Sequence, residues 1–98
     1  MVKRYVIDID GTLLYSTAKI CEYCGRLKYE NPVKNKRMIK KVNALYKKGA
    51  IIILWTGRGW DTYEETKRQI NNAGILHHEL VMGKPLGTYV DEEALTTL

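Results

Sequence analysis

Residues 50–55, with the sequence Ala-Ile-Ile-Ile-Leu-Trp, constrain the fold of this chain more than any other segment. The run is apolar throughout and rich in β-branched side chains, which favours a strand. Because no polar residue alternates with the apolar ones, we expect a strand covered on both faces, as in a parallel sheet flanked by helices. The run is far too short to cross a bilayer.

A helix is predicted upstream of this run and another downstream. Upstream, apolar residues recur at helical spacing from Ile39 to Tyr46, and Gly49 follows as a residue that commonly ends helices. Downstream, Asp61 and Glu64 resemble a capping box with Asp in the Ser/Thr position. The second helix would therefore begin there, run as far as residue 73 and stop at residue 74, which is a glycine.

Strand-like segments complete an α/β pattern. Strands are predicted at residues 5–7, 50–55, 78–82 and 88–91, whereas residues 13–32 are mixed in character and are expected to form a loop and a short helix. The order predicts a three-layer, Rossmann-like fold with about four strands in a short, mainly parallel sheet, in the order 4-1-2-3, and no cap domain. A chain of 98 residues has room for one core, so we expect residues 1–98 to form a single domain.

The net charge is +5, and much of the positive excess falls in residues 31–60, which contain no Asp or Glu. A solvated helix face and a surface that attracts anions both remain open. A nucleic-acid platform is not favoured, because no aromatic stripe accompanies the basic residues. Two Asp residues interrupt the N-terminal segment before it could form the apolar part of a signal peptide, so we expect a cytoplasmic protein that does not associate with membranes.

The two cysteines, Cys21 and Cys24, form a lone C-x-x-C. Reduced and separately packed thiols, a zinc site and a redox pair are the three readings of this spacing. A structural zinc site needs four ligands, and the histidines His77 and His78 are distant in sequence. The role of the pair stays open at this stage.

Polar residues follow the predicted strands. Asp8 and Asp10 close the first strand, Thr56 follows the second and Asp91 follows the fourth. Right-handed crossovers gather the carboxyl ends of parallel strands along one edge, where ligands of open α/β sheets bind. We therefore expect these residues to lie together at one edge of the sheet.

These residue types support phosphoryl transfer. Asp8 and Asp10 are two apart and would project to the same side of a strand, and two neighbouring carboxylates favour a divalent cation such as Mg²⁺. Asp8 could attack phosphorus to form an aspartyl-phosphate, while Asp10 protonates the leaving oxygen and later activates water. The Thr56 hydroxyl and the Gly57 backbone could hold the phosphoryl group, with Lys84 stabilising negative charge.

Four segments in this order resemble the haloacid dehalogenase (HAD) superfamily. Residues 8–12, Asp-Ile-Asp-Gly-Thr, are similar to its first motif, Thr56 to the second, Lys84 to the third, and Asp91 with Glu92 to the fourth. Each segment alone has an ordinary structural explanation as a turn, a loop or a helix start. Their joint occurrence in order, each at a predicted strand end or in the following loop, is what favours the resemblance.

The resemblance implies a Mg²⁺-dependent phosphatase with Asp8 as nucleophile and Asp10 as acid and base. In that family the metal is held by the first Asp, the backbone carbonyl of the second and the fourth-motif acid, which here are Asp8, Asp10 and Asp91. The phosphate and the substrate would be bound by Thr56, Gly57, Arg58 and Lys84. Residues 56–59 and 78–85 most resemble small capless members that are linked to capsular or surface-polysaccharide synthesis.

The expected activity is hydrolysis of a small phosphorylated metabolite, foremost a sugar phosphate. A phosphatase for nucleotides or nucleic-acid ends is the enzymatic alternative, and a catalytically retired binding module that uses its C-x-x-C is the non-enzymatic one. An open site admits large substrates, or a second subunit of a homo-oligomer covers it. Substrate choice would then depend on side chains expected near the edge: Tyr15, Arg58, Trp60, His77 and His78.

Overall fold

The computed structural model describes residues 2–85 and contains five strands and two α-helices in this range. The elements are β1 (Arg4–Ile7), β2 (Leu14–Ile20), β3 (Leu27–Lys34), α1 (Lys36–Lys47), β4 (Ile51–Trp55), a 3₁₀ turn (Trp60–Thr62), α2 (Tyr63–Asn72) and β5 (Glu79–Val81). Neither α1 nor α2 has the length and apolar character that a membrane-spanning helix requires. The predicted fourth strand and Asp91 lie outside the described residues.

A parallel sheet with the order β1-β4-β5 forms the centre of the fold. Ile7 of β1 pairs with Leu54 of β4, and Trp55 pairs with Val81 of β5. The predicted first, second and third strands are therefore parallel neighbours in the predicted order. Because both crossovers step in the same direction along the sheet, right-handed connections bring α1 and α2 to the same face.

One face of the sheet carries the main core. Ile52 and Leu54 of β4 are fully buried, and they share a cluster of apolar side chains with Val42 of α1 and Ile70 of α2. On the other face of the sheet Ile53 is only half-buried. The expectation of a strand covered on both faces is therefore met only in part within residues 2–85, because α1 and α2 contribute to one layer.

In the sequence between β1 and α1, strands β2 and β3 form an antiparallel hairpin. The prediction of a loop and a short helix for residues 13–32 is wrong in this respect. Most side chains of both strands are exposed, so the apolar-polar alternation that would reveal a half-buried strand is missing. Cross-strand pairing and a six-residue reversal between the strands form the hairpin instead.

The helix ends follow the glycine signals, but the capping box does not form. α1 ends at Lys47, and Gly49 takes a φ of +96°, in the left-handed region where a residue without Cβ is favoured. Asp61 lies in the 3₁₀ turn, and Thr62 precedes α2 without capping it. The Thr62 hydroxyl donates to the Gly59 carbonyl at 2.8 Å, which takes this side chain away from the helix N-terminus.

Candidate active site

The carboxyl ends of β1, β4 and β5 meet at one edge, as predicted from the topology. Asp8 directly follows Ile7, and Thr56 directly follows the last residue of β4. The Thr56 N–H donates to the Val81 carbonyl at 3.0 Å, which extends the pairing of β4 with β5 by one residue. The ends of all three strands therefore place backbone and side chains around the same edge.

Asp10 is held by Arg58 in a two-point ion pair. Arg58 Nη2 donates to Asp10 Oδ1 at 2.8 Å, and Arg58 Nε donates to Oδ2 at 3.0 Å. The Thr56 hydroxyl donates to Oδ2 at 3.5 Å, at the limit of a hydrogen bond. Gly11, with a φ of +82°, turns the chain directly after Asp10. The Asp10 carboxylate is thus fixed in one orientation in the middle of the first motif.

Arg58 is the most completely engaged side chain of the site, with 1% of its surface exposed. Besides the two bonds to Asp10, Nη1 donates to Thr66 Oγ1 at 3.2 Å and to Gln69 Oε1 at 2.7 Å, and Nη2 donates to Ser16 Oγ at 3.2 Å. These bonds use all five guanidinium N–H groups. In this arrangement Arg58 orients Asp10 and has no N–H to offer a phosphate.

The hairpin is tied to Arg58 from two sides. The Tyr29 ring stacks on the guanidinium, with the carbon atom of the group 4.2 Å from the ring centroid. Gln69 Nε2 donates to the Tyr29 carbonyl at 2.7 Å. Ser16 lies where the β2–β3 register shifts, an irregularity of the kind that re-aims a side chain. Arg58 therefore joins the hairpin, α2 and the first motif.

Tyr29 remains protonated further into the alkaline range than an exposed tyrosine. Burial is the main cause that raises the pKa of its phenol, and the nearby Asp10 carboxylate raises it further. The Arg58 guanidinium acts in the opposite direction, and Asp61 adds a smaller upward effect. The neutral ring is the form that packs over Arg58.

Four residues of this network were not predicted from the sequence: Ser16, Tyr29, Thr66 and Gln69. A signal existed for one of them. Thr66 occupies the buried stripe of α2 at helical spacing with Ile70, and it is completely buried itself. A polar residue in an apolar stripe needs a buried partner, which here is Arg58.

Lys84 is positioned by backbone contacts with the loop after β4. Its N–H donates to the Thr56 carbonyl at 2.9 Å, and the Gly83 N–H donates to the Arg58 carbonyl at 2.7 Å. Gly83 has a φ of +72°, and a Cβ there would lie 3.3 Å from the Trp60 ring. The Lys84 ammonium lies 5.4 Å from the centroid of the Trp55 ring. Backbone hydrogen bonds therefore connect the second motif to the third.

Thr56 and Gly57, which follow β4, differ in their exposure to solvent. Thr56 is fully buried, and its hydroxyl accepts the Arg58 backbone N–H at 3.2 Å in addition to its long bond to Asp10. Gly57 is exposed and lies against the Lys84 carbonyl. Contact of the Thr56 hydroxyl with a phosphoryl oxygen would replace its 3.5 Å bond to Asp10, which is the weakest bond in the network.

Asp8 is half-buried and makes no side-chain hydrogen bond or ion pair to another residue in the range 2–85. In the same range, no group of three His, Cys, Asp or Glu side chains is arranged to hold a metal ion. The predicted third ligand, Asp91, is outside this range. The donors that are described, the Asp8 carboxylate and the Asp10 carbonyl, are the hard oxygen ligands that Mg²⁺ prefers.

The Asp10 carbonyl fits the ligand role that the resemblance gives it. The turn after β1 is held by four backbone bonds, three to the Ile9 carbonyl and one from the Gly11 N–H to the Leu14 carbonyl at 2.9 Å. None of these four bonds uses the Asp10 carbonyl. With its side chain paired to Arg58, Asp10 would contribute to a metal through its backbone alone.

His77 and His78 do not lie at this edge, so their predicted proximity to the site is wrong. The His78 N–H donates to the Ile52 carbonyl at 2.8 Å, and the Ile52 N–H donates to His78 Nδ1 at 3.0 Å. Ile52 is near the start of β4, so both histidines flank the amino ends of the strands. Burial, assisted by Lys67 and the neighbouring histidine, lowers the pKa of His77.

Trp60 and Tyr15, which were also predicted to contact the substrate, differ in position. Trp60 is exposed, stacks on Tyr63 at a centroid distance of 5.9 Å and contacts the loop that carries Lys84. Tyr15 is exposed at the start of the hairpin, and its hydroxyl accepts from Asn35 Nδ2 at 3.4 Å. Trp60 is thus next to the candidate site, and Tyr15 is at the base of the hairpin.

A basic groove of about 510 Å³ runs along α1 and contains none of the motif residues. Its lining includes four lysines: Lys34, Lys36, Lys40 and Lys47. Positive charge is therefore concentrated on a second surface, along a helix face that the sequence marked as basic.

Comparison with known proteins supports the fold only. No family model and no curated protein matches the chain. A crystal structure of an MCSG target from Vibrio cholerae superposes with a TM-score of 0.61 and 24% sequence identity, over 92% of this chain and 80% of that one. At this identity the likeness concerns the arrangement of elements, so the chemistry has to be argued from the side chains of this chain.

Proposed function

We propose that the chain is a Mg²⁺-dependent phosphomonoesterase of the HAD type, with a three-layer, Rossmann-like fold and an open site without a cap domain. The observation that carries this proposal is the meeting of the first three motifs at the carboxyl edge of the sheet. Asp8 follows β1, Thr56 follows β4, and the Lys84 N–H is bonded to the Thr56 carbonyl at 2.9 Å. Ligands of open α/β sheets bind at this edge.

Asp8 is the proposed nucleophile, and its lack of a side-chain partner in residues 2–85 supports this role. Its carboxylate oxygen attacks phosphorus, the ester P–O bond breaks, and an aspartyl-phosphate forms. Water then attacks the same phosphorus atom, which releases phosphate and restores the Asp8 carboxylate. When bound, Mg²⁺ supplies charge neutralisation on the phosphoryl oxygens, and Asp8, the Asp10 carbonyl and Asp91 would hold it.

Asp10 is the proposed acid and base. It protonates the leaving oxygen in the first step and takes a proton from the attacking water in the second. The two-point pair with Arg58 fixes the direction of its carboxylate, and the 3.5 Å contact links it to Thr56. Arg58 then acts through Asp10 as a positioning residue. Gly57 and Lys84 stabilise the transferring phosphoryl group.

Hydrolysis of an aryl phosphate by the purified chain tests the proposal. We expect activity that requires Mg²⁺ and is lost in Asp8→Asn. A matched control is Glu79→Gln, which removes an exposed carboxylate at the start of β5, on the amino side of the sheet. Equal rates for the wild type and Asp8→Asn, with both proteins folded, would disprove the assignment of the nucleophile.

The proposed substrate is a small phosphorylated metabolite of the sugar-phosphate class, and a second subunit is the proposed cover of the open site. The basic groove along α1 favours one alternative, a phosphatase for nucleotides or nucleic-acid ends. A panel of sugar phosphates, nucleotides and phosphorylated oligonucleotide ends separates the two. Activity that is confined to polynucleotide ends and falls steeply with added salt would select the alternative.

A further inference from the structure

The tip of the β2–β3 hairpin carries both cysteines of the chain, and the proposed phosphatase chemistry uses neither. Cys21 directly follows β2, and Cys24 lies in the reversal, next to Gly25 with a φ of +69°. The Cys21 N–H donates to the Arg26 carbonyl at 2.7 Å, and the Gly25 N–H donates to the Cys21 carbonyl at 2.9 Å. Both thiols are free, with Cys24 exposed and Cys21 half-buried.

Cys21 and Cys24 lie together on the closed turn that joins β2 to β3. Two free cysteines at C-x-x-C spacing on this turn can supply half of the ligands of a typical four-cysteine zinc site.

The chain cannot supply the other half with sulfur or imidazole. Structural zinc is almost always bound by four Cys or His ligands, and this chain has two of each. His77 and His78 flank the amino ends of the strands. At the hairpin tip, Arg26 Nε lies 3.7 Å from Asp61 Oδ2 of the 3₁₀ turn after β4.

Exposed apolar residues lie close in sequence to the two cysteines. Ile20 is 70% exposed, Tyr23 is 99% exposed and Leu27 is 48% exposed. A cluster of exposed apolar residues at a projecting tip is a common mark of a protein contact. In a two-fold dimer the same patch is buried against itself, and each chain contributes the same residues.

We propose that Cys21 and Cys24 of one chain and the same pair of a second copy bind one zinc ion, in a four-cysteine site that joins two hairpin tips. The ion supplies the link between the chains, and Ile20, Tyr23 and Leu27 supply the apolar contact around it. The site does not use Asp8 or the phosphate-binding motifs, so it is independent of the proposed function.

Metal titration of the reduced, metal-free full-length chain tests this site. Co²⁺ serves as a spectroscopic substitute for zinc, because tetrahedral thiolate coordination gives it a characteristic visible absorption, and light scattering gives the molar mass. We expect one metal ion per two chains and a doubling of the mass as metal is added. Cys21→Ser and Cys24→Ser should lose both effects.

Two further variants make the outcome specific. Glu22→Gln removes the carboxylate between the cysteines and should bind metal as the wild type does, and so should Asp8→Asn, even though it lacks phosphatase activity. One metal ion per chain without a change in mass would overturn the proposal, as would metal-independent dimerisation or wild-type binding by the serine variants. Loss of binding in Glu22→Gln would also overturn it, since a carboxylate would then be a ligand.

Discussion

A double-mutant cycle on Asp10 and Arg58 tests whether the buried guanidinium organises the candidate site. The variants are Asp10→Asn, Arg58→Met and the combination of both. Asparagine retains the shape of the side chain and one acceptor oxygen, and methionine retains an apolar stem. The cycle measures the coupling free energy of the pair. This is the difference between the unfolding cost of the double variant and the summed costs of the two single variants.

The size of the effect follows from the burial of the two partners. Removing one member of a buried ion pair costs about 3–5 kcal/mol, because the other charge is left without compensation. The Arg58 side chain is 0% exposed and the Asp10 side chain is 36% exposed, so water screens one end of the pair. We therefore expect Asp10→Asn to cost about 3 kcal/mol, at the low end of this range. In a domain of this size that lowers Tm by roughly 12–24 °C.

Arg58→Met loses more contacts but leaves a less costly charge behind. Asp10 can take up water, whereas Thr66, Gln69 and Ser16 lose a donor and Tyr29 loses its stacking partner. Hydrogen bonds to charged groups contribute about 1.5–3 kcal/mol each, so a total cost of about 3–5 kcal/mol is expected after partial rehydration. Since the double variant buries neither charge, its cost should fall short of the sum by about 2 kcal/mol.

Urea unfolding of the metal-free chain, followed by far-ultraviolet circular dichroism and tryptophan fluorescence, measures all four proteins. A second cycle on Lys19 and Glu30 is the matched control, because their charges lie 3.5 Å apart with side chains 62% and 42% exposed. Exposed pairs couple by about 0.2–1 kcal/mol. If the Asp10–Arg58 coupling is no larger than that of the control, Arg58 does not organise the site as described.

Three further predictions concern stability. Asn35→Ala removes the acceptor of the Met38 N–H at the start of α1 (3.3 Å) and should lower the unfolding free energy by about 1–2 kcal/mol in the same urea assay. The control Asn72→Ala, at the exposed end of α2, should change the unfolding free energy by less than about 0.5 kcal/mol. Burial raises the pKa of Tyr29 above the ordinary value of 10.0, so the folded chain holds the phenol proton more tightly than the unfolded chain does. The resulting stabilisation is complete below the ordinary pKa and is lost as the pH rises above it. Wild-type stability should therefore fall between about pH 9 and 11 more steeply than that of Tyr29→Phe. Burial lowers the pKa of His77 below 6.5, so the unfolded chain binds the proton more readily, and wild-type stability should fall from about pH 7.5 to 5 more than that of His77→Gln. Parallel pH profiles for a variant and the wild type would contradict the corresponding prediction.

The sheet could be predicted because its signals are local. The apolar run at residues 50–55 and the glycines that end the two helices each mark an element within a few positions. Handedness and strand order then bring the residues that follow β1 and β4 to one edge. For this reason the positions of Asp8 and Thr56 followed from the sequence before any side-chain contact was known.

The network around Arg58 could not be predicted, because its contacts are long-range. Arg58 and Asp10 are 48 positions apart, and Gln69 and Tyr29 are 40 positions apart. A strand-ending Arg is compatible both with a phosphate contact and with a buried ion pair, and no local pattern distinguishes them. The choice depends on the hairpin, whose exposed strands carry no clear period and whose sequence predicts a loop and a short helix instead.

Substitutions of the two aspartates of the first motif therefore test different properties of the chain. Asp8 depends on β1 for its position and has no side-chain partner in residues 2–85, so Asp8→Asn should change the chemistry while leaving the stability nearly unaltered. Asp10→Asn removes a proposed acid and base and also leaves the Arg58 guanidinium buried without its counter-charge. A loss of activity in Asp10→Asn would follow from either cause. Asp8→Asn is thus the cleanest test of the nucleophile. For Asp10→Asn, the loss of the acid and base can be separated from the loss of stability only if the unfolding free energy and the catalytic rate are both measured on this variant.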